Sequence, residues 1–314
     1  MTVGIFSGGT QSPALVNGSG YGSLATWIYA NPDWEKLIYT HGSVLFRGFG
    51  ISDPGAFDAI LDLLVRPSRE FSEETSPRSL VTDRTFTSTD YPENYPIQFH
   101  HEFSYRRNHP DRLVFCCLQA AKTGGATPLA DSRRILKRLA PDILEPFEKL
   151  GITYVRNFTG LGVSWRDSFG TSDKAEISNY CNSHSIEHRW SGEELHTSQT
   201  TPAIITHPVT GEKAWFNSVV NLNVMGVEPK AIRDALQLLP ASSVPTNTYY
   251  GSGQPIEPDT IEIIRQAYAE EAVRFDWQNG DLLVIDNILT AHARDPFEGE
   301  RRVIVGMGSA GHQA

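Results

Sequence analysis

The sequence predicts a mainly β fold with flanking helices, arranged as a jelly-roll core. Two observations carry this reading. Short apolar runs of strand length recur along the chain, among them Val44-Leu45-Phe46, Val114-Phe115-Cys116-Cys117 and Leu282-Leu283-Val284-Ile285. Segments with helical apolar spacing are few and do not alternate regularly with the strands, as they would in a βαβ sheet. The length of 314 residues, 39% of them hydrophobic, is ample for one large core.

Residues 1–22 are rich in Gly and Ser and are expected to run as an irregular arm ahead of one domain over 23–314. Residues 23–39 read as helix. Ser23 caps it, Leu24, Trp27 and Ile28 share a face, and Asn31-Pro32 divides it in two. A strand follows over 43–49. A helix over 53–64 places Phe57, Ile60, Leu61 and Leu64 on one side. Residues 66–96 are polar and carry prolines, and are expected to form a loop walling a site.

A strand over 97–105 comes next, then a buried strand over 112–118. Gly124-Gly125 allows a sharp turn or a close approach to a ligand, and a plain turn suffices to explain it. Residues 132–150 are helical, interrupted at Pro141. Residues 159–200 lack an apolar period and read as a lid-like insertion. A hairpin is expected over 202–217, helices over 229–239 and within 252–273, a buried strand over 282–285, and a last strand over 301–307.

Composition narrows the function. A net charge of −10 and a pI of about 5.5 argue against nucleic acid and anionic membrane surfaces as partners. No apolar run approaches the roughly 20 residues that span a bilayer. Three cysteines are too few for a disulfide framework, residues 1–22 show no signal-peptide pattern, and a reduced, cytoplasmic protein is expected.

The chemistry concentrates in Phe99-His100-His101-Glu102-Phe103. On a strand, alternate side chains share a face, so His100 and Glu102 point one way and His101 the other. With His292 of Ala291-His292-Ala293-Arg294 they make two imidazoles and one carboxylate. Such a set on one face of iron(II) leaves positions open for a chelating co-substrate and O2. Taken alone, the H-x-E triplet also fits a half-exposed strand with two satisfied polar residues.

In ordered sequence the chain carries Leu45-Phe46-Arg47-Gly48-Phe49, residues 75–78, Thr89-Asp90-Tyr91-Pro92 and His100-His101-Glu102. There follow Gly124-Gly125-Ala126-Thr127-Pro128, His207-Pro208-Val209-Thr210-Gly211, Trp215-Phe216-Asn217 and a block over 280–302. Through these the chain resembles the taurine dioxygenase (TauD/TfdA) family of iron(II)/2-oxoglutarate-dependent oxygenases. It is most similar to the branch of syringomycin-type aspartyl β-hydroxylases, in which asparagine often stands where this chain has His101.

The resemblance implies a double-stranded β-helix, cupin-like core, with His100, Glu102 and His292 as catalytic iron ligands. Thr127 and Arg302 would bind the distal carboxylate of 2-oxoglutarate, which a planar guanidinium meets with paired hydrogen bonds. Arg301 is expected on the opposite face, in a solvent-facing ion pair. Related halogenases replace the carboxylate ligand with a small residue, so Glu102 favours oxygenation. Oxidative decarboxylation of 2-oxoglutarate to succinate and CO2 would drive attack on an unactivated C–H bond. Hydroxylation is the expected outcome, with desaturation or ring closure as alternatives.

The implied substrate is an amino acid or similar small carboxylate in natural-product biosynthesis, free or presented by a carrier protein. Arg78, Phe216 and Asn217 are the candidate substrate-binding residues, each with a structural alternative. Tyr105, Arg106 and Arg107 read as a solvated rim. A homo-oligomer is compatible with the sequence. Two other readings stay open: a zinc hydrolase on the same three ligands, which would have no need for an Arg302–Thr127 anchor, and a jelly-roll binding protein.

Overall fold

A computed structural model describes residues 3–5, 13–67, 73–76, 78–88 and 91–310. Its largest sheet has nine strands. In spatial order these are Val3–Ile5, Ala14–Asn17, Ser43–Arg47, Leu282–Asp286, Arg112–Gln119, Arg302–Ser309, Thr85–Thr87 and Leu80–Thr82, with Arg66–Pro67 also paired to Arg302–Ser309. Leu282–Asp286 is antiparallel to both of its neighbours.

The middles of the central strands are apolar on both faces because both faces of this sheet are covered. Val44, Phe46, Val114, Cys116, Leu282, Val284 and Ile304 face outward. There they meet Trp27, Ile38, Phe57 and Leu61 of the helices Leu24–Ala30, Glu35–His41 and Pro54–Leu61. The alternate residues Leu45, Leu113, Phe115, Leu283, Ile285, Val303, Val305 and Met307 face inward. They pack with Leu129, Ala291 and Ala293 of a smaller sheet, ordered Leu129–Asp131, Thr290–Arg294 and Ile97–His100. Facing sheets with helices outside make the jelly-roll core the sequence predicts.

Beyond the smaller sheet stands a third, ordered Glu187–Ser191, Glu194–Thr201, Ile152–Phe158 and Thr246–Tyr250. The segment expected as a lid-like insertion is therefore ordered. It carries the helices Trp165–Phe169 and Lys174–Ser183 and pairs into this sheet. Its own small core contains Phe158, Trp165, Phe169, Ile177, Cys181 and Leu195. All three cysteines are buried and free.

Several boundaries differ from expectation. Residues 1–22 do not form a wholly irregular arm. Ala14–Asn17 lies parallel to Ser43–Arg47, and Val3–Ile5 is antiparallel to Ala14–Asn17. Residues 66–96 contain three short edge strands instead of loop alone. Residues 1–2 and 6–12 of the arm, together with Pro77, Thr89 and Asp90 from the landmark segments, lie outside the described residues. Among the described residues, no helix is long and apolar enough to cross a membrane.

One contact ties the helical layer to the strand that carries His292. Gly42 caps the helix Glu35–His41 at φ 73°, and its carbonyl accepts from the Asp286 N–H (2.9 Å). A Cβ built on it would lie 2.2 Å from Thr290 Oγ1, at the start of Thr290–Arg294. Gly42→Ala is expected to destabilise the fold by about 1–3 kcal/mol from backbone strain alone, with the clash added. Urea unfolding checks this, and an unchanged midpoint would contradict the cap.

Candidate active site

The strand Ile97–His100 ends at the first histidine, two residues before Glu102 and short of the expected strand over 97–105. A tight turn follows, with Phe103 at φ 54°. Asn287 fixes this turn. Its Oδ1 accepts from the Glu102 N–H (2.9 Å), and its Nδ2 donates to the carbonyls of Glu102 (2.9 Å) and Pro110 (2.9 Å). Sequence reasoning gave Asn287 no role. Asn287→Ala would leave both backbone groups of Glu102 unpaired in a buried place, at a cost of about 1–3 kcal/mol for each such group. Denaturant unfolding of that variant measures the loss.

His292 sits in the central strand of the smaller sheet, paired with His100 on one side and Leu129 on the other. The two imidazole centroids are 4.3 Å apart. One ligand atom from each of His100, Glu102 and His292 lies within 4.8 Å of the others. His100 Nδ1–H donates to the Gln98 carbonyl (2.9 Å), leaving Nε2 as the ring nitrogen with a free lone pair. His292 Nδ1 is buried without a protein hydrogen-bond partner. Burial holds both histidines below their ordinary pKa, and the nearby His100, His101 and Arg78 add to the effect on His292. Neutral imidazoles beside a carboxylate suit a divalent cation with nitrogen and oxygen ligands.

His101 faces away, as expected. It is fully buried, with Nδ1 3.0 Å from the Asn217 carbonyl and Nε2 2.7 Å from Ser132 Oγ. Burial pushes it down to about 3. Phe216 packs on its ring at 5.0 Å, and Asn217 Nδ2 donates to the Ala203 carbonyl (3.1 Å). Phe216 and Asn217 therefore stand behind the turn, on the His101 side. They are not among the residues lining the cavity, contrary to the substrate-binding expectation.

Beside the triad is a recess bounded by Ser88, Phe115, Thr127, Arg294 and Arg301. Thr127 is buried and accepts from Trp277 Nε1 (3.1 Å). The expectation for the arginine pair is reversed, because Arg301 reaches the recess and Arg302 is exposed. The reason is strand parity. Val303, Val305 and Met307 face inward and Ile304 outward, which places 301 with the inward set. Arg301 Nε donates to the Gly125 carbonyl (3.0 Å), and Nη1 lies 3.5 Å from Ser88 Oγ. It has no carboxylate partner among the described residues. Burial, reinforced by Arg294, pushes it down to about 10, so it stays charged at neutral pH.

A larger cavity of about 480 Å³ opens from the other side of Glu102. Gln98, Ser218, Asn221, Thr246 and Glu228 line it, with Gly162, Val163 and Asp167 of the insertion on one wall. Arg78 borders both spaces. Its Nη2 donates to Glu102 Oε2 (2.8 Å), and its Nε lies 3.8 Å from Glu74. Burial alone would lower its pKa, but the two carboxylates outweigh burial and raise it. Tyr105, expected on a solvated rim, is buried.

Fold and donor set together define the class, an iron(II)- and 2-oxoglutarate-dependent dioxygenase. The chain belongs to the TauD/TfdA family: the profile described as "Taurine catabolism dioxygenase TauD, TfdA family" matches residues 22–307. It is 32% identical over 301 residues to the dapdiamide synthesis protein DdaC of Enterobacter agglomerans, covering 95% of this chain and 92% of that one. A clavaminate synthase-like protein of Arabidopsis thaliana is 30% identical over 285 residues, covering 87% and 83%. The crystal structure of AAD-2 with Mn(II) and N-oxalylglycine superposes with a TM-score of 0.57 at 16% identity, covering 100% of this chain and 98% of that one.

Proposed function

We propose that His100, Glu102 and His292 hold iron(II) and that Arg301, with Thr127 and Ser88, receives the distal carboxylate of 2-oxoglutarate. The enzyme then hydroxylates an unactivated C–H bond of an amino acid or similar small carboxylate. The observation that carries this is one juxtaposition. Three metal-competent side chains lie within 4.8 Å of one another, beside a desolvated arginine that has no acid partner. A zinc hydrolase needs the first feature and has no use for the second.

Iron(II), when bound, supplies O2 activation coupled to decarboxylation of the co-substrate to succinate and CO2. The protein's part is positioning and exclusion of water. The Gln98 carbonyl orients His100, and Asn287 fixes the backbone of Glu102. Arg78 occupies Glu102 Oε2 and leaves the other oxygen for the metal. Its charge is engaged by Glu102 and Glu74, so we assign it to holding the ligand in preference to the expected substrate carboxylate. Phe115 packs on His292 (5.4 Å) and Val305 borders the same recess, giving it apolar walls.

The substrate enters the larger cavity, whose amide and hydroxyl side chains offer hydrogen bonds to an amino-acid-like molecule. The similarity to DdaC supports a biosynthetic substrate of this kind. Presentation by a carrier protein and ring closure or desaturation from the same chemistry are narrower variants of the reading.

Anaerobic addition of iron(II) and 2-oxoglutarate to the apo-protein is expected to produce the weak visible charge-transfer band of the chelate. His292→Ala should remove the band while leaving the far-UV circular dichroism unchanged. A folded, metal-loaded wild type without the band would favour the hydrolase reading.

Arg301→Ala and Arg302→Ala separate the two arginines. The first should raise the 2-oxoglutarate concentration needed for the band at least about tenfold, the scale of a lost charge-assisted contact. The second should leave it unchanged. The opposite order would restore Arg302 as the anchor.

A further inference from the structure

The turn that presents Glu102 is also gripped from outside by residues 73–76 and Arg78, and this grip centres on Glu73. Glu73 has φ 64°, a conformation that non-glycine residues rarely adopt, yet it is only 3% exposed. Its carbonyl accepts from Tyr105 Oη (2.7 Å) and Arg156 Nη1 (3.0 Å). Its carboxylate accepts from Tyr180 Oη (3.0 Å) and Gln199 Nε2 (2.7 Å) and lies 3.7 Å from Arg106 Nε. The next residue is held the same way. The Glu74 carbonyl accepts from Arg156 Nη2 (2.6 Å), and its N–H donates to the Ser168 carbonyl (3.0 Å).

These partners come from two directions. Tyr105 and Arg106 follow Glu102 directly in the metal turn. Arg156, Ser168, Tyr180 and Gln199 belong to the third sheet and its helices. Arg78 leaves the same segment toward Glu102 Oε2. A left-handed backbone bound at both its carbonyl and its carboxylate has one available position. Arg78 is tied to this segment by Glu74, whose carboxylate lies 3.8 Å from its Nε. Nothing in the iron chemistry requires Glu73 to touch the metal, so its effect is transmitted through Arg78.

We infer that Glu73 is a positioning residue for the iron site. It locks residues 73–76 between the metal turn and the third sheet, so that Arg78, paired with Glu74, takes one oxygen of Glu102 and leaves the other for the metal. This rests on the metal assignment proposed above.

The test uses the full chain and iron(II) as the probe, in anaerobic titrations with and without 2-oxoglutarate. It compares wild type, Glu73→Gln, Arg78→Lys and the double variant. Glu73→Gln is expected to weaken iron(II) binding about tenfold, as loss of outer-sphere support typically does, and to shift the charge-transfer band. Arg78→Lys should do likewise. The double variant should bind no more weakly than the worse single one, because both changes break one linkage.

A merely structural role predicts a lowered unfolding midpoint with wild-type iron affinity and band, or effects that add in the double variant. Either result overturns the inference. Should Glu73→Gln not fold, Tyr180→Phe removes one donor to the same carboxylate. It must then give a smaller loss of iron affinity in the same direction, and wild-type affinity in that variant rejects the role. Wild-type protein that binds no iron(II) would sink the metal assignment and this inference together. Normal wild-type binding with an unaltered Glu73→Gln variant would sink this inference alone.

Discussion

His100 and His292 stand directly opposite each other on adjacent antiparallel strands, and the rest of the site is arranged around that pairing. Opposed residues on one face of such a ladder have Cβ atoms about 4.5–5.5 Å apart, close enough for two imidazoles to meet at one point. The ladder holds the rings at a 4.3 Å centroid separation with no bond between them. Register therefore fixes two of the three proposed metal ligands. A one-residue slip would turn one histidine away. The pairing is protected by Leu129–Asp131 on the far side of Thr290–Arg294 and by the stacking of Phe99 on Tyr268 at 5.0 Å.

The third ligand is secured differently. Glu102 lies past the end of the strand, where no ladder bond restrains it, so side chains supply the restraint. Asn287 binds its backbone and Arg78 its carboxylate. Asn287 follows the buried strand Leu282–Asp286, and Arg78 belongs to the segment held by Glu73 and Arg156. The carboxylate is thus referenced to the large sheet on one side and to the third sheet on the other. The histidines are referenced to the smaller sheet. These three sheets all take part in one small volume.

Much of this was legible in sequence, and the failures have physical causes. The apolar runs at 44–46, 113–117 and 282–285 identified central strands because burial on both faces leaves no polar position. The separation of His101 from His100 and Glu102 was also correct, although a turn completes it where strand alternation was expected. Arg301 was misplaced because Val303-Ile304-Val305 is apolar on both faces, so the sequence offers no mark of which parity looks inward. The register shift between Arg302 and Val303 hides it further. Phe216 and Asn217 were expected to line the substrate site and pack instead on the His101 side of the turn. Their side depends on His101, whose burial pairs it with Asn217 and Ser132. Ala14–Asn17 was missed because a four-residue strand in a Gly- and Ser-rich stretch gives no period to read. Glu73 and Asn287 act through tertiary contacts and leave no local signature.

The buried arginines show how the interior allots charge. Desolvating a cation is costly unless hydrogen bonds or an opposite charge offset it. Arg112, 1% exposed, is met by Glu35 (2.5 Å), the Leu64 carbonyl (3.1 Å) and Tyr39 Oη (3.2 Å). Arg294 is met by the carbonyls of Tyr91, Pro92 and Tyr95 at 2.6–2.9 Å. Arg156 is met by two carbonyls and a hydroxyl, and Arg78 by two carboxylates. Arg301 has one carbonyl and one hydroxyl at 3.5 Å, and Arg294 close enough to repel it. The four well-supplied arginines hold backbone or side chains in place. Arg301 has neither a carboxylate nor three oxygen acceptors among the described residues, and it borders the recess beside the triad together with Arg78 and Arg294. In the proposed assignment, the co-substrate carboxylate would supply a further acceptor there.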